Sequence, residues 1–212
     1  RTIALAALLL ALLAASPAAQ PAGVPKGLAL YASFDDGLDA DFATANRAAI
    51  VEGNPEFAEG HAGQGLVVGD LDTSTGVRYA TDRNFSFERG TVSMWVQPLN
   101  WRGDEAGNRL FFNLKPDGGG LFTFYKYNNT AWGLTLLTDP GEGNHGKTYI
   151  HSKIDAWEPG QWHHIACTWG RYEAVALYID GEQVAKLAGS GLLWNEPEAT
   201  MRFGGSWESD GN

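Results

Sequence analysis

The pair Asp180-Gly181 lies between two runs of β-favouring residues, 174–179 and 182–187, and it restricts this chain more than any other feature. A two-residue turn between antiparallel strands needs positive φ at both positions, and Asp-Gly is among the strongest signals for it. Such a turn fixes register, and register fixes faces. Val175, Leu177 and Ile179 share one side of their strand, while Ala176 and Tyr178 share the other. The same alternation governs the stretch just before. His163 and His164 are consecutive on a strand predicted over 162–169, so they point to opposite faces and cannot ligate one metal together. Cys167 falls on the face of His163, Ile165 and Trp169, an apolar series that reads as core. The chain's single cysteine is therefore expected to be a buried, inert small side chain, and it leaves no internal disulfide to stabilise the fold.

Further short strands are predicted over 28–34, 65–68, 77–80, 91–98, 109–114, 121–127, 131–138, 149–154 and 201–203, with turn residues between them. No long helical period intervenes. Many short strands with 27 glycines and a 12% aromatic content point to an all-β, two-sheet antiparallel sandwich, a jelly roll. The stretch 36–62 has no strong period and is read as a loop with one helical turn around 40–46.

The first twenty residues are read apart from the fold. They run through an apolar stretch from Ile3 to Ala15 and end in small residues with a proline, the layout of a secretory signal peptide whose first part is missing. The run is well short of the ~20 apolar residues that a membrane span requires. The chain is thus expected to be secreted, to a periplasmic, cell-surface or extracellular location, and the alanine-rich leader suggests a bacterial source. Residues 21–27 form a linker, and 28–212 one domain with a sizeable core. A net charge of −10 argues against nucleic acid and anionic membranes as partners, and leaves neutral glycans and divalent cations.

Two motifs make a resemblance specific. "GTVSMWVQP" at 90–98 is followed by "WHHIACTWGRYEAVALYIDGEQVA" at 162–185, with "YASFDDG" and "EGHAGQGLVV" upstream. Together they resemble the laminin G-like jelly-roll domains of the concanavalin A-like lectin/glucanase superfamily, from about Leu28 onward. The resemblance implies the sandwich, often a structural Ca²⁺, and a closing strand after 201–203 that returns beside the first. The sequence ends at Asn212 before such a strand, so the sandwich is expected to lack it and to belong with further domains of a longer protein.

The glucanases of the superfamily carry a Glu-x-Asp-x-x-Glu strand, whose alternation sends acids into one cleft. The strands predicted between Arg109 and Thr138, where that motif belongs, carry no carboxylate, and no Gly-x-Ser-x-Gly elbow exists. "WESDGN" at 207–212 reads as a solvated loop. A non-catalytic module that binds a polysaccharide or glycoconjugate, or mediates adhesion, is therefore expected. The alternatives are a structural or protein-interaction module, and a glycoside hydrolase-related domain whose carboxylates are not visible.

Sugars are bound by stacking on aromatic rings with a few directed hydrogen bonds. Along 121–127, Phe122 and Phe124 share one face and Tyr125 and Tyr127 the other; the phenylalanines are assigned inward and the tyrosines outward, since Tyr has a polar handle. Trp132 follows the next turn, and Trp101 sits in the polar loop "NWRGDEAGN". Trp101, Tyr125, Tyr127 and Trp132 are the candidate ligand-binding residues. The acidic run "FDDGLDAD" at 34–41 makes Asp35 and Asp39 candidate calcium ligands, with 69–76 and 139–146 as rival stretches.

Overall fold

The structure is a computed structural model of the chain, and it describes residues 25–68, 75–114, 120–128, 131–139, 147–189 and 199–205. The leader of the sequence reading lies outside these residues, as do most of the acidic stretches 69–76 and 139–146 and the segment 207–212.

Among the described residues fifteen strands follow one another in chain order: β1 (Leu30–Tyr31), β2 (Phe42–Ala43), β3 (Ile50–Glu52), β4 (Glu56–Glu59), β5 (Gln64–Val67), β6 (Gly76–Ala80), β7 (Arg89–Val96), β8 (Arg109–Leu114), β9 (Leu121–Lys126), β10 (Leu134–Asp139), β11 (Thr148–Ser152), β12 (His163–Gly170), β13 (Ala174–Ile179), β14 (Glu182–Ala188) and β15 (Thr200–Gly204). They form a seven-stranded sheet in the order β11-β10-β9-β8-β15-β6-β3, a four-stranded sheet in the order β14-β13-β12-β7, and the two small pairs β1-β2 and β4-β5. Strand pairing is antiparallel throughout. This is the expected all-β sandwich. Among the described residues no helix is long and apolar enough to cross a membrane.

The core is the interface of the two large sheets. From the seven-stranded sheet come Val77, Tyr79, Phe112, Leu114, Phe122, Phe124, Leu134, Leu136, Ile150 and Met201, and from the smaller one Ile165, Cys167, Trp169, Val175 and Leu177. Period-two alternation puts each set on one side of its strands. Cys167 is fully buried, and that burial pushes its thiol up to about 12. Its burial is what the apolar series on that face predicts.

The β13–β14 turn has φ of 50° at Asp180 and 86° at Gly181, and Ile179 pairs directly with Glu182 across it. Asp180 also fastens the turn to β12. Its carboxylate accepts from the His164 amide at 2.8 Å and lies 2.9 Å from His163 Nδ1. The two histidines part as expected: His163 stacks on the buried Trp157 with ring centres 4.1 Å apart, while His164 pairs across the sheet with the outward Trp95.

The stretch 36–62 differs from its reading. It contains β2, β3 and β4 and no helical turn. Its strands are too short to show a period, and its order comes from side chains that replace ladder bonds. Asp41 accepts from the Ser33 amide at 2.6 Å, Asp39 from the Ala49 amide at 2.9 Å, and Asp35 from the Gln64 amide at 2.7 Å. The Tyr79 hydroxyl donates to the Leu38 carbonyl at 2.6 Å and so ties the loop to the core sheet.

Candidate functional site

The far face of the seven-stranded sheet, turned away from the core, carries two kinds of side chain. Toward β6 and β3 it is polar. Arg78 pairs with Arg202 across β6 and β15, and Arg202 with Asn113 across β15 and β8. Glu52 on β3 bridges both guanidiniums, with one carboxylate oxygen 2.9 Å from Arg78 Nε and the other 2.6 Å from Arg202 Nε. Next in the row, the Thr123 hydroxyl donates to Asn113 Oδ1 at 2.8 Å.

Toward β11 the same face becomes aromatic. Tyr125 and Tyr127 lie on β9 and at its end, and Tyr149 and His151 flank the inward Ile150 on β11. The turn between β9 and β10 is closed by the Tyr127 amide, which donates to the Gly133 carbonyl at 2.8 Å. This places Trp132 in the middle of the rings. Its ring centre is 5.1 Å from Tyr127 and 5.4 Å from Tyr149, and it stacks on His151 at 5.0 Å with 6° between planes. Tyr149 and His151 are exposed, and Tyr127 and Trp132 are half-buried. The arrangement is a ring platform at the edge strand, with phenol, indole and imidazole polar atoms at its margin.

Two of the four ring candidates are not on that surface. Phe122 and Phe124 point inward as expected, and Tyr125 points to the other side, but it is buried there against Leu110 and Leu137. Burial pushes its phenol well above the ordinary tyrosine range. Tyr125 supports the platform, touching Tyr127 edge-on at 5.9 Å, and does not present a face. Trp101 is in the main core, beside Trp157 at 6.3 Å. The buried Lys126 ammonium sits 5.9 Å from its ring centre and the Arg109 guanidinium 6.0 Å away, so cation–π contacts occupy the indole. The polar loop around Trp101 gave the wrong impression because its carbonyls point inward: Lys126 Nζ donates to the carbonyls of Glu105 and Gly107. Burial, and then the neighbouring Arg109, hold the Lys126 pKa down.

The sequence reading did not place Tyr149 and His151 on the binding surface. The available signal was a pair of ring residues in the outward phase of a strand whose inward residue is Ile150.

Asp35 and Asp39 each engage a backbone amide through Oδ1. Among the described residues no three His, Cys, Asp or Glu side chains gather as a metal site.

Among the described residues, the strand carboxylates Asp139 and Glu52 on the far face are well separated. Asp139 closes β10 and pairs with Lys147 at 3.0 Å, while Glu52 is on β3. Five strand spacings separate β10 from β3 in the sheet order, roughly 24 Å at the usual spacing. A glycosidase pair needs about 5–9.5 Å.

Known structures share this architecture. Domain 4 of AbnA, a GH43 extracellular arabinanase from Geobacillus stearothermophilus, solved with arabinotriose, is 20% identical, with a TM-score of 0.65 over 85% of this chain and 84% of that one. The binding domain of botulinum neurotoxin DC, solved with rat synaptotagmin II, is 16% identical, with a TM-score of 0.62 over 84% of this chain and 43% of that one. A botulinum neurotoxin type C structure, described as dependent on two ganglioside molecules for cell entry, is 13% identical, with a TM-score of 0.63 over 86% and 43%. The chain thus spans less than half the length of these toxin chains. No curated protein sequence matches it. At these identities the structures speak to the fold, and the sequence itself supplies the kinship: the laminin G family model matches residues 71–212, the greater part of the sandwich, and the chain belongs to the concanavalin A-like lectin/glucanases superfamily.

Proposed function

We propose that this chain is an exported, non-catalytic binding module that recognises a neutral polysaccharide on the ring platform of Tyr127, Trp132, Tyr149 and His151. The observation that carries the reading is Trp132, held between Tyr127 and the stacked His151 with Tyr149 edge-on beside it. A sugar ring offers a face of polarised C–H groups, which complements the negative face of an aromatic ring. Rings fixed by one another lose little conformational entropy on binding. The wide separation of Asp139 and Glu52 supports recognition over hydrolysis. So do the arabinotriose bound to the arabinanase domain and the glycans and receptors named for the toxin domains.

Affinity gels containing arabinan, xylan or mixed-linkage β-glucan test the reading. Retention of the wild type by one of these, reduced at least about tenfold in Trp132→Ala and in Tyr149→Ala, is the expected result. Unchanged retention in both variants overturns it. Retention by none of the polysaccharides, with capture by a protein partner, shifts the reading to an interaction module.

Calcium belongs to the same proposal. Asp35 and Asp39 belong to the acidic run 34–41, and the rival acidic stretches 69–76 and 139–146 lie mostly outside the described residues. An ion held only by the folded state raises the melting temperature by mass action. Millimolar Ca²⁺ is expected to raise the melting temperature above that measured in chelator. Coincident melts reduce the acidic run to the amide bonds described above.

A further inference from the structure

We infer that the molecule carries a second sugar-binding site, on the outer face of the four-stranded sheet, built from Trp95, His61, Trp162 and His164. The location follows from the alternation of β7. Val92, Met94 and Val96 pack toward the core, so Thr91, Ser93 and Trp95 point outward. The indole, in the outward phase of an edge strand, lies off the sandwich core. Trp95 is 47% exposed. His61 lies flat on it, with ring centres 3.6 Å apart and 6° between planes, and His164 meets it at 5.3 Å. With one face under an imidazole and nearly half of the side chain still accessible, the remaining indole surface is open to a ligand.

The surroundings are fixed independently of any ligand. His61 rides on the β4–β5 hairpin, whose loop is closed by the Gly60 amide donating to the Gly63 carbonyl at 2.9 Å. The Asp35 carboxylate holds the same hairpin through the Gln64 amide. Trp162 meets His61 edge-on at 5.9 Å and lies against Gly65, where an added Cβ would be 3.7 Å from the indole. The end of β7 is fastened to the loop between β11 and β12 by Gln97 Nε2, which donates to the Gly160 carbonyl at 2.8 Å. Rings held in place at a surface form a pre-organised platform.

The occupant is a sugar ring. An aromatic side chain buries about 150–250 Å² when fully covered, so four partly covered rings present a few hundred Å² at most, short of the ~800 Å² per partner of a stable protein interface. A sugar needs one open ring face and a few polar atoms, and here the indole and imidazole nitrogens supply the latter.

The two platforms belong to different sheets and to opposite outer faces of the sandwich. One molecule can then hold two chains of the same polysaccharide. Holding two chains at once rests on the platform at Trp132, and the experiment separates the two sites.

Wild type, Trp95→Ala, Trp132→Ala and the double variant are run in affinity gels with arabinan, xylan and mixed-linkage β-glucan, and their mixtures with the same soluble polysaccharides are followed by turbidity. Trp95→Tyr and His61→Ala accompany them, with melting curves as the fold control. Trp95→Ala is expected to weaken retention at least threefold and to abolish turbidity, with Trp95→Tyr restoring part of both and Trp132→Ala keeping a weak residual retention that the double variant loses. Retention and turbidity unchanged in Trp95→Ala overturn the inference and leave the Trp132 reading standing. Loss in Trp95→Ala with none in Trp132→Ala overturns that reading and keeps this one. If Trp95→Ala melts far below wild type, His61→Ala decides by the same criteria, and no retention of the wild type on any of the three overturns both.

Discussion

Glu52→Ala is expected to lower the free energy of unfolding by roughly 3 kcal/mol, far more than removal of any exposed ion pair in the molecule. Glu52 is shared by two arginines whose Cα atoms face each other across β6 and β15. The Arg202 side chain is only 5% exposed, so its charge depends on protein groups in place of water. Deleting the carboxylate leaves two like charges in register and removes the side chain that pins β3 to the sheet. Arg89 with Glu173 is the control: those side chains are 76% and 63% exposed, and Arg89→Ala is expected to cost under about 0.5 kcal/mol. Glu52→Gln should fall between, since an amide oxygen still accepts one hydrogen bond. Urea melts of the three variants check this. Equal losses in Glu52→Ala and Arg89→Ala would mean that the shared carboxylate is no more than a surface pair.

That β3 depends on a distant arginine explains why it was not legible. Every strand with a run of alternating residues was visible in sequence, β7, β12 and β13 above all, because burial on one face imposes the period. β2, β3 and β4 are two to four residues long; Asp41, Asp39 and Glu52 tie the chain around β2 and β3, and Asp35 the β4–β5 hairpin, to partners elsewhere in the chain. A carboxylate that holds a backbone amide and one that awaits an ion look alike in sequence; in the structure Asp35 and Asp39 each hold an amide. The site divides in the same way. Tyr127 and Trp132 are adjacent to one turn and were found; Tyr149 and His151 join them only through the β10–β11 register. Trp101 looked exposed because its loop is polar, yet that polarity serves Lys126. Trp95 was quoted for the family motif it belongs to, and its outward phase against Val92, Met94 and Val96 was readable but passed over.

The Gly133→Ala variant is expected to lose both stability and sugar retention, and it tests how the platform is held. Gly133 follows Trp132 with φ of +59°, a conformation that costs an L-residue roughly 1–2 kcal/mol. An added Cβ would also lie 2.5 Å from the Ser152 carbonyl oxygen and 3.0 Å from the Ile154 amide nitrogen, both backbone atoms that cannot swing away. The bridge between Gly133 and Ser152 must therefore open. Ser152 follows His151, and Gly133 follows Trp132, so opening that bridge separates the stacked pair at its root. A total loss of roughly 2–4 kcal/mol follows from strain and displaced backbone together. Trp132→Ala, by contrast, removes a half-buried ring at the surface and should cost about 1 kcal/mol while abolishing retention at this site. Thermal melts with affinity gels on both variants distinguish ring chemistry from ring placement. Should Gly133→Ala keep wild-type retention on any polysaccharide that depends on Trp132, the platform does not need the close approach of β10 to β11, and its geometry is set by the rings alone.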